Sequence, residues 1–193
     1  MAKKKYEFRP DKPQADWLSK LYLTQKQRMS LLKWVLYTAV LLVLSVLQDV
    51  ILSRVHIFGV TTDLVPCAIL LICVLQGSET GSVFCLVAAA MYQFSGTAPG
   101  YHVIALLPVL GILVSIMRQS YLRKGFSSDV LCAAVAVLLY ELSLFVICLI
   151  MGRTAPGRIF GFIWTGLMSM LLIPALYPVA TAIDKVGGET WKE

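Results

Sequence analysis

The stretch from Thr61 to Gly100 constrains this chain most. It reads TTDLVPCAILLICVLQ, then GSET, then GSVFCLVAAAMYQF, then SGTAPG. Two short apolar runs meet at the polar turn Gly77-Ser78-Glu79-Thr80. Each run is long enough for about four or five helical turns, roughly 20–27 Å at 1.5 Å per residue. Neither holds a basic residue, and Asp63 stands at the start of the first. The pattern predicts a hairpin of two helices through a bilayer, with the rest of the chain anchoring it or packing around it.

Composition extends that expectation to the whole chain. Of 193 residues, 58% are hydrophobic and 15% charged, and the mean hydropathy is +0.77. A soluble domain is nearer half apolar and a quarter charged. Several nearly uncharged runs approach or exceed the span of about 20 residues that a bilayer demands. The expected fold is an all-α membrane protein of six transmembrane helices in one bundle, with both termini cytoplasmic and an N-terminal amphipathic helix.

Three segments follow from the charge pattern. Residues 1–30 form a basic cytoplasmic tail, residues 31–184 the six-span bundle and residues 185–193 a short cytoplasmic tail. Pro10 and Pro13 break the charged start of the chain. From Gln14 to Ser30, Trp17, Leu18, Leu21, Tyr22 and Met29 share a broad face bordered by Lys20, Lys26 and Arg28. That spacing suits a helix lying on the inner leaflet and contacting membrane lipids, or else a solvated linker. Residues 1–30 show no apolar core before a small-residue cleavage site, so no signal peptide is expected.

The spans are predicted at about Leu31–Leu52, Asp63–Gln76, Thr80–Phe94, Tyr101–Met117, Ser128–Met151 and Ile159–Ile183. Lys33, Trp34 and Tyr37 mark the inner interface of the first, with the lysine snorkelling. Thr61 or Thr62 is the expected N-cap of the second, and Ser127 or Ser128 that of the fifth. Pro108 and Gly111 predict a kink in the fourth, and Pro174 and Pro178 interrupt the sixth. The inner segments hold the nine Lys and Arg that precede Trp34, together with Arg118, Arg123, Lys124, Lys185 and Lys192. The outer segments hold Arg54, Arg153 and Arg158. The positive-inside rule therefore sets both termini, and the Gly77–Thr80 turn, in the cytoplasm.

The same charge distribution argues against nucleic acid. A basic tail just before a span faces anionic lipid, and the tail carries no nucleic-acid recognition motif. All five cysteines lie inside apolar runs without a CxxC pair and read as small buried hydrophobes.

Candidate chemistry is sparse. Glu141 lies mid-way along the fifth span, where an ionised carboxylate is expensive. It must be protonated or paired, with Gln93, His102, Gln48 and the tyrosines as candidate partners. It serves either a proton relay or contact within a complex, or a single inter-helix hydrogen bond. His56 and His102 sit near outer span ends without HxxxH or HExxH spacing, so no metal is expected. No GxSxG occurs, and GSETG lacks the spacing and the lysine of a phosphate-binding loop. No catalytic residue and no cofactor are expected. Asp63, Gly77, Gly81, Gln93 and Glu141 are the candidates for helix packing or a partner interface. The glycines suit turns, and Ala88-Ala89-Ala90 suits close backbone contact.

These residues in this order resemble the MreD family, the integral-membrane component of the bacterial rod-shape machinery. The resemblance covers roughly residues 34–184. It rests on Asp63-Leu64, on Gly77-Ser78-Glu79-Thr80-Gly81-Ser82-Val83-Phe84, on Ser95-Gly96-Thr97-Ala98-Pro99-Gly100 and on the basic cluster ending in Arg123-Lys124. Thr62 stands where the family has proline, and Ala89-Ala90-Met91-Tyr92-Gln93 where it has Gly-Leu-x-x-Asp. The N-terminal extension is also longer. The resemblance implies a non-enzymatic scaffold of lateral peptidoglycan synthesis in the bacterial cytoplasmic membrane. Such a scaffold binds MreC, and through it a RodA-type polymerase, a class B penicillin-binding protein and MreB. The alternative is a transporter subunit similar to vitamin-binding S components, which meet their coupling protein through an Ala-xxx-Ala face on the first span. Here Ala39 stands alone between Val35 and Val43.

Overall fold

A computed structural model describes residues 25–52, 54, 61–96, 98–121 and 125–186. The amphipathic segment expected at residues 14–30 falls largely outside them. Every regular element among the described residues is helical. Helix α1, Gln25–Leu47, continues through a π-helical turn at Gln48–Leu52. Then follow α2, Leu64–Gln76; α3, Ser78–Phe94; α4, Val103–Tyr121; and α5, Phe126–Ile150. A 3₁₀ turn at Pro156–Arg158 leads into α6, Ile159–Met170, and α7, Ile173–Val186.

This is a membrane protein by helix length and composition. Arg28–Leu52, Val103–Tyr121 and Phe126–Ile150 are each long and apolar enough to cross a bilayer. The bent pair containing α6 and α7, with an angle of 47°, makes a fourth if it counts as one span. The break at Leu171-Leu172 falls just ahead of Pro174, whose ring and missing N–H stop a helix from passing through. Pro178, by contrast, lies inside α7.

Helix α2 is the centre. Its 13 residues are apolar nearly all round, and all but Leu75 are buried. A helix without a polar face can be stable only if it is enclosed, and α2 packs against every other helix. At 1.5 Å per residue it is about 20 Å long, against about 30 Å for a bilayer's hydrocarbon core. Both of its ends therefore lie inside protein, where their free N–H and C=O groups need partners from other elements.

Several expectations are corrected. The turn between α2 and α3 is Gly77 alone, at φ +88°, a conformation that favours glycine. Ser78, Glu79 and Thr80 already form the first turn of α3, where the Glu79 carboxylate suits the helix dipole. Asp63 occupies the N-cap position of α2 without capping through its side chain, and the Thr62 hydroxyl has no partner. Helix α5 starts at Phe126, behind Gly125, so neither Ser127 nor Ser128 caps it. Lys33 does not reach for headgroups: it is 4% exposed and ion-paired with Asp184 of α7.

Candidate functional site

The two ends of α2 gather most of the buried polar groups. At the C-terminal end, α4 supplies the partners. Ser115 Oγ donates to the Cys73 carbonyl at 3.1 Å, and Arg118 Nη1 donates to the Val74 carbonyl at 2.8 Å. Arg118 also pairs with Asp129 of α5 at 2.6 Å, and the Tyr177 hydroxyl of α7 reaches Asp129 at 3.4 Å. On the other side, Gln76 Nε2 donates to the Tyr37 hydroxyl at 3.0 Å and to Asp184 at 2.9 Å. Tyr37 in turn donates to the Ala180 carbonyl at 3.1 Å. Two ion pairs and a tyrosine thus clasp this end. Each charge has an opposite partner, which a buried charge requires.

Close backbone approach makes the clasp possible. A Cβ on Gly81 would lie 2.6 Å from the Cys73 carbonyl oxygen, and one on Gly111 would lie 2.8 Å from Cys73 Sγ. Gly81 is thus a packing residue between α2 and α3, not a turn residue. Gly111 brings α4 against the same cysteine. Gly77 closes α2 by donating its N–H to the Cys73 carbonyl at 3.1 Å.

The N-terminal end of α2 is built differently. The Asp63 N–H donates to Ser169 Oγ of α6 at 2.9 Å. The Val65 N–H donates to Gln48 Oε1, in the π-helical turn after α1, at 2.8 Å. Gln48 Nε2 in turn faces the Tyr92 hydroxyl of α3 at 3.5 Å. Cys67 Sγ lies 3.5 Å from the Ser169 carbonyl. The amides at this end are therefore met by side chains from the π-helical turn after α1 and from α6. Pro66, in the first turn, has no N–H to satisfy.

Asp63 and Glu141 come together here. Their carboxyl groups lie within hydrogen-bonding reach of each other, and such a bond needs a proton between them. Glu141 is 2% exposed. Gly166 admits α6 to this spot, since a Cβ there would lie 3.4 Å from Glu141 Cγ. The partner of Glu141 is therefore Asp63, and not Gln93, His102, Gln48 or a tyrosine. Gln48 is spent on Val65 and Tyr92. Gln93 Oε1 and His102 Nε2 are enclosed without a hydrogen-bond partner, as are Thr62 Oγ1, the Tyr140 hydroxyl and Glu141 Oε1. His56 lies outside the described residues. His102 precedes α4, and its pKa is held below the usual imidazole value by burial and then by the charge of Arg153.

Ser169 was not among the residues singled out from sequence, and Tyr140 entered only as one of the tyrosines. The small pair Gly166 and Ser169, three residues apart on α6, and the adjacency of Tyr140 to Glu141 were the available signals. The described residues hold no group of three or more His, Cys, Asp or Glu placed to bind a metal ion. All five cysteines are free. A crevice of about 320 Å³ opens beside Tyr92 between α1, α2 and α3. Its walls include Leu41, Leu42, Val65, Ala88 and Met91, which suit an apolar occupant.

The chain matches no protein-family model, no curated protein and no solved structure.

Proposed function

We propose that this chain is a non-catalytic, MreD-like scaffold of the bacterial rod-shape machinery. In this reading it sits in the cytoplasmic membrane and holds a MreC-like single-span partner. Through that partner it supports a RodA-type polymerase, a class B penicillin-binding protein and MreB filaments in lateral peptidoglycan synthesis. One observation carries the reading. Helix α2, which lies between the motif residues Asp63-Leu64 and Gly77, is the element on which every other helix packs, and Gly81 of the same motif admits α3 against it.

Six crossings fit this reading if α6 and α7 form one broken span. The short α2 then crosses only within the bundle, shielded from lipid by its neighbours. Both termini lie in the cytoplasm, as the basic residues favour. Among the three long spans, the most spare surface belongs to α1. Only 17% of its most apolar window is buried, against 44% for α4 and 39% for α5. A single-span partner can lie along the outer face bearing Val35, Leu42, Val43 and Val46, all exposed.

The test is co-purification of the tagged protein from its own membranes under mild detergent. Enrichment of a MreC-like protein, reduced by Val43→Trp or Val46→Trp, is the expected result. Equal recovery of that protein with and without the tagged chain removes the proposal.

A further inference from the structure

We infer that the crevice between α1, α2 and α3 is a binding site for one acyl chain of a membrane phospholipid. The inference stands whether or not the chain binds a MreC-like partner.

Shape comes first. The floor is made by Leu41 of α1, Val65 of α2, and Ala88 and Tyr92 of α3, each no more than 5% exposed. Leu42 and Phe94 stand at the rim, 54% and 88% exposed. Ala88 contributes only a methyl group, which leaves the depth open. The space of about 320 Å³ falls within the range of about 300–1,000 Å³ usual for ligand pockets. From Ser95 to Ala88 it follows α3 for about 10 Å. That is less than half of a hydrocarbon core about 30 Å thick, so the crevice runs along a single leaflet.

Wall chemistry comes second. No lining residue is charged. The Tyr92 hydroxyl accepts from Gln48, and Ser95 Oγ donates to the Tyr92 carbonyl at 2.7 Å. Among the described residues, none of the enclosed polar atoms without a partner belongs to this wall. A wall with its polar atoms already engaged selects hydrocarbon over a polar ligand.

The surroundings decide which hydrocarbon. Helix α1 is long and apolar enough to cross a bilayer, and only 17% of its most apolar window is buried. The mouth beside Leu42 therefore opens to lipid, and lipid is what covers it. Left empty, the lining would lose its dispersion contacts. A second protein span does not fit. One turn of a helix with its side chains is about 10 Å across and fills roughly 400 Å³, more than the whole crevice. An acyl chain is thin and flexible, and it already lies along the leaflet in the direction that the crevice takes.

The experiment is native mass spectrometry of the full chain, extracted in mild detergent from vesicles of phosphatidylethanolamine and phosphatidylglycerol with the same acyl chains. The wild type should retain one phospholipid through a wash that strips the rest. Either headgroup should serve, because the wall holds the tail. Ala88→Leu fills the floor and should lose that lipid. Val135→Trp, on an exposed face of α5, should keep it. Should Ala88→Leu fail to fold, Ser45→Phe narrows the crevice from its half-buried edge and should give the same loss. Ser45 is not on the face offered to a MreC-like span, so the two readings can fail separately. A photoactivatable diazirine on the lipid tail should label the wild type at Leu41–Ser45 and Ala88–Ser95. A wild type that carries no phospholipid, labelling confined to other segments, or full retention in Ala88→Leu overturns the site. Retention of one headgroup only also overturns it, since polar contacts and not the crevice would then hold the lipid.

Discussion

Gly81 lies against the carbonyl of Cys73 with no room for a side chain: a Cβ there would stand 2.6 Å from that oxygen. The obstacle is backbone, so it cannot rotate away. Helix α2 would have to move relative to α3, and Gly111 of α4 is packed on the same cysteine. Overpacking of this kind costs about 1–3 kcal/mol. Gly81→Ala should lower stability by that amount. Gly161→Ala should not, because nothing lies within 4 Å of its added Cβ. Thermal or denaturant unfolding in one detergent compares the two. Equal stability of the two variants would contradict the packing role of Gly81.

Arg118 and Asp129 give a second prediction. Both are buried, at 8% and 4% exposed, and Arg118 additionally caps the Val74 carbonyl. Removing one partner of a buried pair strands the other charge, at about 3–5 kcal/mol. Arg118→Met and Asp129→Leu should each be strongly destabilising. The double variant should recover part of the loss, because no uncompensated charge remains. It should not recover all of it, since the Val74 carbonyl loses its donor. A double-mutant cycle measures this, and additive losses would mean the pair is not coupled.

These two contacts show how much the sequence disclosed. The apolar runs located the helices within a few residues, because bilayer and core alike demand uninterrupted apolar stretches. The Thr61–Gly100 hairpin was legible, as was the oddity of an acid at Glu141. The partners were not. A helix as short as α2 must have both ends satisfied, but the donors come from Gln48, Ser115, Arg118 and Ser169, all distant in sequence. Lys33 beside Trp34 has the composition of a membrane interface, yet its counter-ion, Asp184, lies near the far end of the chain. Periodicity fixes which face of a helix is apolar. It does not fix which helices meet, and pairings such as Asp63 with Glu141 depend on that meeting.

Sidedness follows from the proposed six crossings. Ser127 lies in the first turn of α5 and is exposed; Gly157, beyond its other end, is exposed with open space around it. Ser127→Cys should react with a membrane-impermeant maleimide only after permeabilisation, and Gly157→Cys in cells whose cytoplasmic membrane is intact. Of the native cysteines, Cys67, Cys73, Cys85 and Cys132 are buried and Cys148 is partly buried, so the background should be low. Labelling of both sites from the same side would rule out α5 as a span.

His102 provides a pH dependence outside the spans. It stands in the turn ahead of α4, and burial, followed by the positive charge of Arg153, lowers its pKa. The unfolded chain takes up its proton near pH 6.5. The folded chain resists until the pH is lower, so below about 6.5 the unfolded state holds more protons. The neutral ring's contribution to stability is therefore fully present above that pH. It is lost as the pH falls from there through the depressed folded value. Arg153→Gln removes the electrostatic cause but leaves burial, so it should move the folded titration part of the way back up and soften the acid loss. NMR of ring-labelled histidine, assigned with His102→Gln, reads this directly. A His102 midpoint at or above the unfolded value would reverse the sign of the effect. A midpoint unmoved by Arg153→Gln would leave burial as the whole cause.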